Sequence, residues 1–409
     1  MKILIITQYF WPENFRINDL VEGLSLYGHE VTILTGSPNY PKGKIFPEFA
    51  SDPSLFKKFG LSEVVRVPII PRGRNKLTLS LNYLSYAISS IIIGSWKLRK
   101  KQFDVIFVYE PSPVTVGLPA IWLKKLKKVP VIFWTLDLWP ESLSSFGVIK
   151  SKLILSLVGK MVEFIYNRCD LILAQSQSFI SLISQYCKED IRIEYFPSWA
   201  EELPLSSELA PEVEFKNNTF NILFTGNIGE AQDFPAVIDA VESLRYENIR
   251  WLIVGDGRMS DWLKGEISNR GLESQILLLG EFPIERMTSF YNCSQALLVS
   301  LKSDHYLSLV IPAKVQSYLM SGLPILGMVQ GETEKIIKNS GCGYTCNSGD
   351  GIALADIAKK MLSLSDVNRN TMGAMGRDYA IQEFDRNTLL RKLESWMFEC
   401  ADNYGSKTK

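Results

Sequence analysis

Lys314 lies in the run IPAKVQSYLMSGLPILG, residues 311–327, which reads as a short helix followed by a buried strand. Pro312 suits a helix start, Gly322 suits a helix end, and LPILG has the apolar character of a covered strand. A cation in the first turn faces the positive end of the helix dipole, at a cost of roughly 0.3–1 kcal/mol. Two readings account for it. An anion could be gripped jointly by the ammonium and the unpaired N–H groups of the helix start, or the side chain could snorkel to solvent. The turn FTGNIGEAQDF, residues 224–234, bears on the choice. It sets Gly226 and Gly229 between a strand and a helix, and small residues let backbone amides approach a phosphate. It is neither a P-loop nor G-x-G-x-x-G, so alone it is a weak signal. VGDG at 254–257 is a second glycine-bearing strand end, which a simple turn explains equally well.

Carboxylates and histidines supply the acid–base candidates. Asp137 and Glu141 sit in DLWPES, directly after the apolar run VIFWTL. A carboxylate at such a place is costly without a partner. It could accept a sugar hydroxyl or steady a cationic transition state, and capping the next helix is the alternative for Asp137. TQYFWPENFRIND, residues 7–19, places Glu13, Asn14 and Arg16 after three aromatics, more polar groups than a connection needs. The only histidines are His29 and His305. His29 follows a glycine ahead of a strand and reads as structural; His305, in SDHY, is the better site candidate. His305 and Asp304 point apart in an extended segment, so adjacency does not make them a pair. No nucleophilic triad emerges. Cys342 and Cys346 form C-x-x-x-C, but no second pair or nearby histidine completes a zinc set.

These turns need strands to carry them. KILIIT (2–7), EVTILTG (30–36), DVIFVYE (104–110), PVIFWTL (130–136) and LILAQS (171–176) are apolar throughout, as parallel strands covered on both faces require. Helical patterns separate them across Ile17–Leu26 and near 114–127 and 152–168. A run rich in Pro, Glu, Ser and Asn follows at 196–219 and reads as a linker. Alternation then restarts with strands at 220–227, 249–257, 276–282 and 295–301. Helices at 353–364, 366–382 and 386–400 close the chain. Two doubly wound α/β domains follow, with ligands expected at the carboxyl ends of strands and a cleft between the domains.

The chain has 409 residues, with 44 Lys+Arg balanced by 44 Asp+Glu, so nucleic acid is not an expected partner. The opening strand pattern is interrupted at Trp11-Pro12 and does not make a signal peptide. LTLSLNYLSYAISSIIIGSW, residues 77–96, carries no charge and is long enough to span a bilayer. Its polar residues favour a membrane-facing or core helix. The basic clusters KLRKK (97–101) and WLKKLKK (122–128) would draw anionic headgroups, or simply solvate helix ends.

Together the first strand with its long loop, LYGHEVTILTG, the FTGN turn, IVGDG, the LLGEF turn and AKVQSYLMSGLPIL resemble retaining glycosyltransferases of the GT-B fold, family 4. The resemblance covers nearly the whole chain. The opening MKILIITQYFWPENFRINDL is similar to the WbuB-type L-fucosamine transferases of O-antigen and capsule assembly. It implies two Rossmann-like domains facing a cleft: an acceptor domain over 1–196, with a helix at about 384–403 crossing back, and a nucleotide-sugar domain over 197–383. Lys314, Gly226, Asn227, Gly229 and Arg258 would hold the diphosphate. Glu281 and Phe282 would pack on the base, and His305, Leu309, Gln316 and Ser317 would line the nucleotide and sugar. Asp137 and Glu13 become the candidate catalytic carboxylates, and Asn14, Arg16 and Glu141 the acceptor contacts. The chain departs from the family pattern. Leu309 and Ser317 stand where two glutamates eight residues apart are usual, Asn227 and Gln232 replace a basic pair, and Leu136 beside Asp137 falls where a histidine is common.

The implied reaction moves N-acetyl-L-fucosamine from UDP-L-FucNAc to undecaprenyl-diphosphate-linked GlcNAc, without metal or cofactor, at the cytoplasmic face of the plasma membrane. The membrane contact would run through 77–101 and 122–128. A UDP-sugar 2-epimerase and a non-catalytic GT-B partner protein are the alternatives.

Overall fold

A computed structural model describes residues 1–73, 75–145, 147–200, 207–214 and 219–407. The chain divides into two units, Met1–Pro197 with Asn387–Lys409, and Ser198–Arg386.

The first unit is built on an eight-stranded sheet. Its strands are β1 (Lys2–Ile6), β2 (Glu30–Gly36), β3 (Lys58–Phe59), β4 (Ser62–Val67), β5 (Val105–Glu110), β6 (Val131–Thr135), β7 (Leu171–Ala174) and β8 (Ile193–Tyr195). The order is β3-β4-β2-β1-β5-β6-β7-β8, parallel except for the β3–β4 pair. Every residue of β5, β6 and β7 is buried, the condition that produces unbroken apolar runs instead of alternation. The register places Glu110, at the end of β5, opposite Thr135 at the end of β6. The turn after β6 therefore begins beside Glu110.

Residues 76–97 form one long helix, α from Lys76 to Ser89, a π segment Ser90–Gly94 and a last turn Ser95–Lys97. The closing helix Arg386–Lys407 packs on the same unit. Trp396 meets Phe196 with ring centroids 6.0 Å apart, Arg192 pairs with Glu399 at 2.7 Å, and Glu394 meets His29 Nε2 at 2.8 Å. His29 also takes the chain's amino terminus at 3.2 Å, which settles its structural role.

The second unit carries a wholly parallel six-stranded sheet: β9 (Phe220–Thr225), β10 (Ile249–Val254), β11 (Ile276–Gly280), β12 (Ala296–Ser300), β13 (Ile325–Met328) and β14 (Gly343–Cys346). Its order is β11-β10-β9-β12-β13-β14. The chain reverses direction across the sheet beside β9, so the turn after β9 opens at a topological switch point. Apolar clusters cover both faces.

The expected linker is only partly a linker. Residues 201–206 and 215–218 lie outside the described residues. Between them Ala210 and Val213 are buried in the second unit's core, Ala210 N–H donates to Ser289 O, and Glu212 pairs with Arg286. Apolar residues hidden among prolines and glutamates escaped a reading based on composition. Strands β3, β4, β8 and β14, and the helices Gln177–Ser184 and Glu332–Ser340, were also not anticipated.

Candidate functional site

In the second unit three strand ends stack on one another. Gly226 N–H donates to Val254 O, Ile228 N–H to Asp256 O and Gly255 N–H to Gly280 O, at 2.7–2.9 Å. The stacking dictates the glycines. Gly226 has φ +125° and Gly255 φ +144°, and a Cβ on Gly255 would lie 1.9 Å from Gly226 O. No other residue type fits there without moving the turn.

Lys314 is the second residue of helix Ala313–Ser321, whose N-cap is Pro312 and whose C-cap is Gly322 at φ +73°. The helix presents Lys314 and Tyr318, one turn apart, to the end of β9. Tyr318 Oη accepts from Thr225 N–H at 2.7 Å and locks the helix to that strand. The lysine does not snorkel outward. Its Nζ lies 3.7 Å from the Phe224 ring centroid and donates to Gln232 Oε1 at 3.2 Å. A Cβ on Gly226 would stand only 3.3 Å from that nitrogen. Burial pushes the ammonium pKa down to about 7, with no carboxylate among the described residues to offset it. An ammonium held by a ring face and one amide, at a helix start and a glycine turn, has the surroundings of an anion site.

The other expected contacts divide. Asn227, Arg258 and Glu281 are exposed on the three stacked turns, and Gly229 is buried beneath them. Phe282 is engaged already: its ring packs on Phe290 at 4.9 Å with Arg286 at 5.4 Å. His305 is the exposed first residue of the short helix His305–Leu309, and Asp304 caps that helix by accepting from Leu307 N–H. Leu309, half-buried, ends it. Gln316 is a correction. It is 2% exposed, and with its amide nitrogen turned inward it donates to Ala313 O and Pro312 O at 2.9 and 3.1 Å. Its donors serve its own helix, and Ser317 beside it is also buried.

In the first unit the strand ends of β5 and β6 bring two carboxyl groups together. Glu110 is fully buried; its Oε2 faces Asp137 N–H at 3.4 Å, and its Oε1 is enclosed without a partner. Burial first, and the Asp137 charge second, hold the Glu110 carboxyl well above its ordinary range. Asp137 Oδ2 accepts from Trp139 Nε1 at 3.1 Å, and Gln175 Nε2 holds Leu136 O at 2.6 Å. The Tyr83 hydroxyl bonds Ser112 and lies in the field of Arg72, Asp137 and Glu110. Sequence reasoning missed Glu110. The signal was present in DVIFVYE, an apolar run that ends on an acid.

Glu13 is the second correction. It is 3% exposed and accepts from three backbone amides, Phe10 at 3.1 Å and Asn39 and Tyr40 at 2.7 Å each. Three of the roughly four lone-pair sites of its carboxylate are spent tying the loop after β1 to the loop after β2, with Arg66 as the neighbouring charge, so the group serves the loops first. Asn14 is exposed nearby. Arg16 opens the next helix, and its charge and backbone N–H face the Tyr109 hydroxyl. Glu141 Oε1 accepts from Tyr186 Oη at 2.8 Å, while its Oε2 is enclosed without a partner. Among the described residues no group of three His, Cys, Asp or Glu side chains is gathered tightly enough to hold a metal ion.

Both halves of the chain match known families. Residues 15–198 match the family described as Glycosyltransferase Family 4, and residues 206–378 match Glycosyl transferases group 1. The chain is 24% identical to the putative colanic acid biosynthesis glycosyl transferase WcaI of Escherichia coli, over 96% of this chain and 98% of that one. It is 25% identical to the probable glycosyltransferase WbjE of Pseudomonas aeruginosa, over 63% of this chain; that alignment spans 65% of WbjE's length. Anabaena HepE, solved in complex with UDP and glucose, superposes with a TM-score of 0.68 at 14% identity, over 98% of this chain and 100% of that one. At that identity the likeness concerns the fold.

Proposed function

We propose, from the premise that this chain is a bacterial glycosyltransferase of the GT-B fold, that it transfers a sugar from a UDP-linked donor to a lipid-diphosphate-linked saccharide during surface polysaccharide assembly. The observation that carries the reading is the Lys314 ammonium beside Gly226, with no carboxylate partner among the described residues. The name of WcaI, which specifies colanic acid biosynthesis, supports a surface-polysaccharide role, and HepE's bound UDP supports a uridine nucleotide. The resemblance of residues 1–20 narrows the proposal to UDP-N-acetyl-L-fucosamine as donor and undecaprenyl-diphosphate-linked GlcNAc as acceptor.

Transfer proceeds with retention. The bond between the sugar C1 and the diphosphate oxygen breaks as a bond from the acceptor hydroxyl oxygen to C1 forms on the same face. The acceptor proton passes to the departing diphosphate oxygen. Lys314, the amides of the 226–229 turn and the helix start meet the charge that develops on that diphosphate, the preorganised stabilisation that commonly dominates such reactions. Asp137, at the end of β6, orients the acceptor sugar through its hydroxyls. No metal is required in this scheme.

The enzyme works at the inner face of the plasma membrane, held by helix 76–97 and the basic segments at 97–101 and 122–128. Lys76 Nζ donates to Val148 O, which brings the start of this helix beside the segment leading to exposed Leu153, Ile154 and Leu157.

The test is transfer to synthetic GlcNAc-diphosphate-lipid from a panel of UDP-sugars with EDTA present, read by product mass and anomeric configuration. A deoxy-HexNAc increment from UDP-L-FucNAc with an α/β outcome matching the donor is expected. UDP binding without product from any donor would overturn the acceptor assignment, and conversion of the free donor without acceptor would replace transfer by epimerisation.

A further inference from the structure

The membrane-facing reading of helix 76–97 leaves its chemistry open, and the neighbouring surface answers it. Leu77, Leu81, Leu84, Ile88, Ile92 and Trp96 recur every three or four residues and are each 40–70% exposed. They form an apolar face along the helix, with exposed Ser80 a small polar residue on it. Trp96, its last member, also forms a wall of a cleft of about 490 Å³ between the 49–57 segment, β4 and the helix end. Phe49 and Phe56 line the same cleft. Its charge is one-sided. Lys57, Arg66, Lys97 and Arg99 line it, and its single acid, Glu63, is already paired with Lys101.

Three of the four cations are held in place. Arg66 donates to Gly36 O at 2.8 Å and to Trp11 O, packs 5.3 Å from the Phe49 ring, and keeps an enclosed Nε–H without an acceptor. Its burial lowers its pKa to about 10, which leaves it charged at neutral pH. Arg99 stacks on Trp96 at 4.3 Å, and Lys97 Nζ donates to Arg66 O at 2.8 Å.

Building on the membrane reading, we infer that this cleft binds the phosphate of an anionic bilayer lipid headgroup while the adjoining apolar face lies in the membrane surface. The continuity of the two surfaces at Trp96 decides for a bilayer over an apolar protein partner. A lipid presents acyl chains and phosphate side by side in this order, and an indole belongs at the boundary between them. Fixed guanidinium groups suit a phosphate better than diffuse surface lysines would.

The experiment is vesicle flotation of the full chain, with phosphatidylcholine alone and with added phosphatidylglycerol. Wild type should float with the anionic vesicles at least about tenfold more tightly than with neutral ones, since each basic residue at such a surface contributes about 1 kcal/mol. K57E/R99E should lose that preference yet keep its circular dichroism and any residual neutral binding. L84D/I88D should lose both. K188E/K264E, an equal charge change at exposed lysines outside the cleft and the basic segments, should cost clearly less; an equal loss would mean diffuse attraction and overturn the cleft. So would an anionic preference retained by K57E/R99E. Inorganic phosphate is the second probe: calorimetric binding that depends on Lys57 and Arg99 without vesicles would replace the lipid by free phosphate. If wild type floats with neither vesicle, the membrane reading falls and takes this inference with it.

Discussion

Each unit keeps one ionisable group out of its ordinary state at the ends of its central strands, and the two are opposites. In the second unit burial strips Lys314 toward neutrality, to a pKa of about 7. In the first, burial and then the Asp137 charge push the Glu110 carboxyl well above its ordinary range, toward the neutral acid. The lysine sits against a glycine turn and a helix start, surroundings that complete an anion site. Glu110 sits against a second carboxylate and tyrosines, surroundings in which only a neutral acid is tolerable. The comparison separates two uses of a buried charge. Lys314 is pushed toward neutrality in a setting that favours an anion, and Glu110 is pushed toward its neutral form by burial and by the carboxylate beside it.

Mutation breaks the comparison most sharply at the lysine. Lys314→Ala should lower kcat/KM by roughly 10²–10³, the scale of losing one preorganised charge contact, and weaken UDP binding, both read in the transfer assay and by calorimetry. At Glu110 the expected result depends on shape. Glu110→Gln mimics the protonated acid and should stay within about threefold of wild type, while Glu110→Ala leaves a cavity and should cost roughly 2–3 kcal/mol of stability and much of the activity. A loss of tenfold or more in Glu110→Gln would mean that the glutamate acts as a charged base.

Stability against pH sharpens the same contrast, because the signs differ. Lys314 has a folded pKa below its ordinary 10.5, so the unfolded chain binds more protons between about 7 and that value, and stability rises with pH across the window. Lys314→Met should flatten that rise and stabilise the protein at neutral pH by about 1–3 kcal/mol. Glu110 has a folded pKa above its ordinary 4.5, so its contribution is complete below that value and is lost as pH climbs through the raised one; Glu110→Gln removes the fall. Denaturant midpoints across pH measure both. The smallest effect belongs to Glu13→Gln, which keeps the acceptor geometry toward Asn39 and Tyr40 in one oxygen only. It should cost about 1–2 kcal/mol with little change in chemistry.

The two sites were unequally legible in the sequence. The lysine, the glycine turn and the helix that joins them were readable because dipole, turn and phosphate geometry are local properties of short runs. Glu110 was not, because its meaning comes from the β5–β6 register, which sets it beside a turn some 27 positions later. Glu13 misled for the mirror reason. A polar residue in an aromatic loop looks catalytic until the loop after β2 spends its oxygens. Gln316 likewise found its partners within its own helix. Parallel strands and long amphipathic helices were plain from periodicity; short edge strands β3 and β8, with too few residues to show any period, were not.

The central claim is that the Lys314 ammonium is the counter-charge of the donor diphosphate. Calorimetric UDP binding at pH 8, in two buffers of different ionisation enthalpy, tests it directly. A lysine near neutrality that becomes charged against a diphosphate must take up about one proton per UDP bound, and Lys314→Met must abolish that uptake. UDP that binds wild type with no proton uptake, or with uptake unchanged in Lys314→Met, would contradict the account.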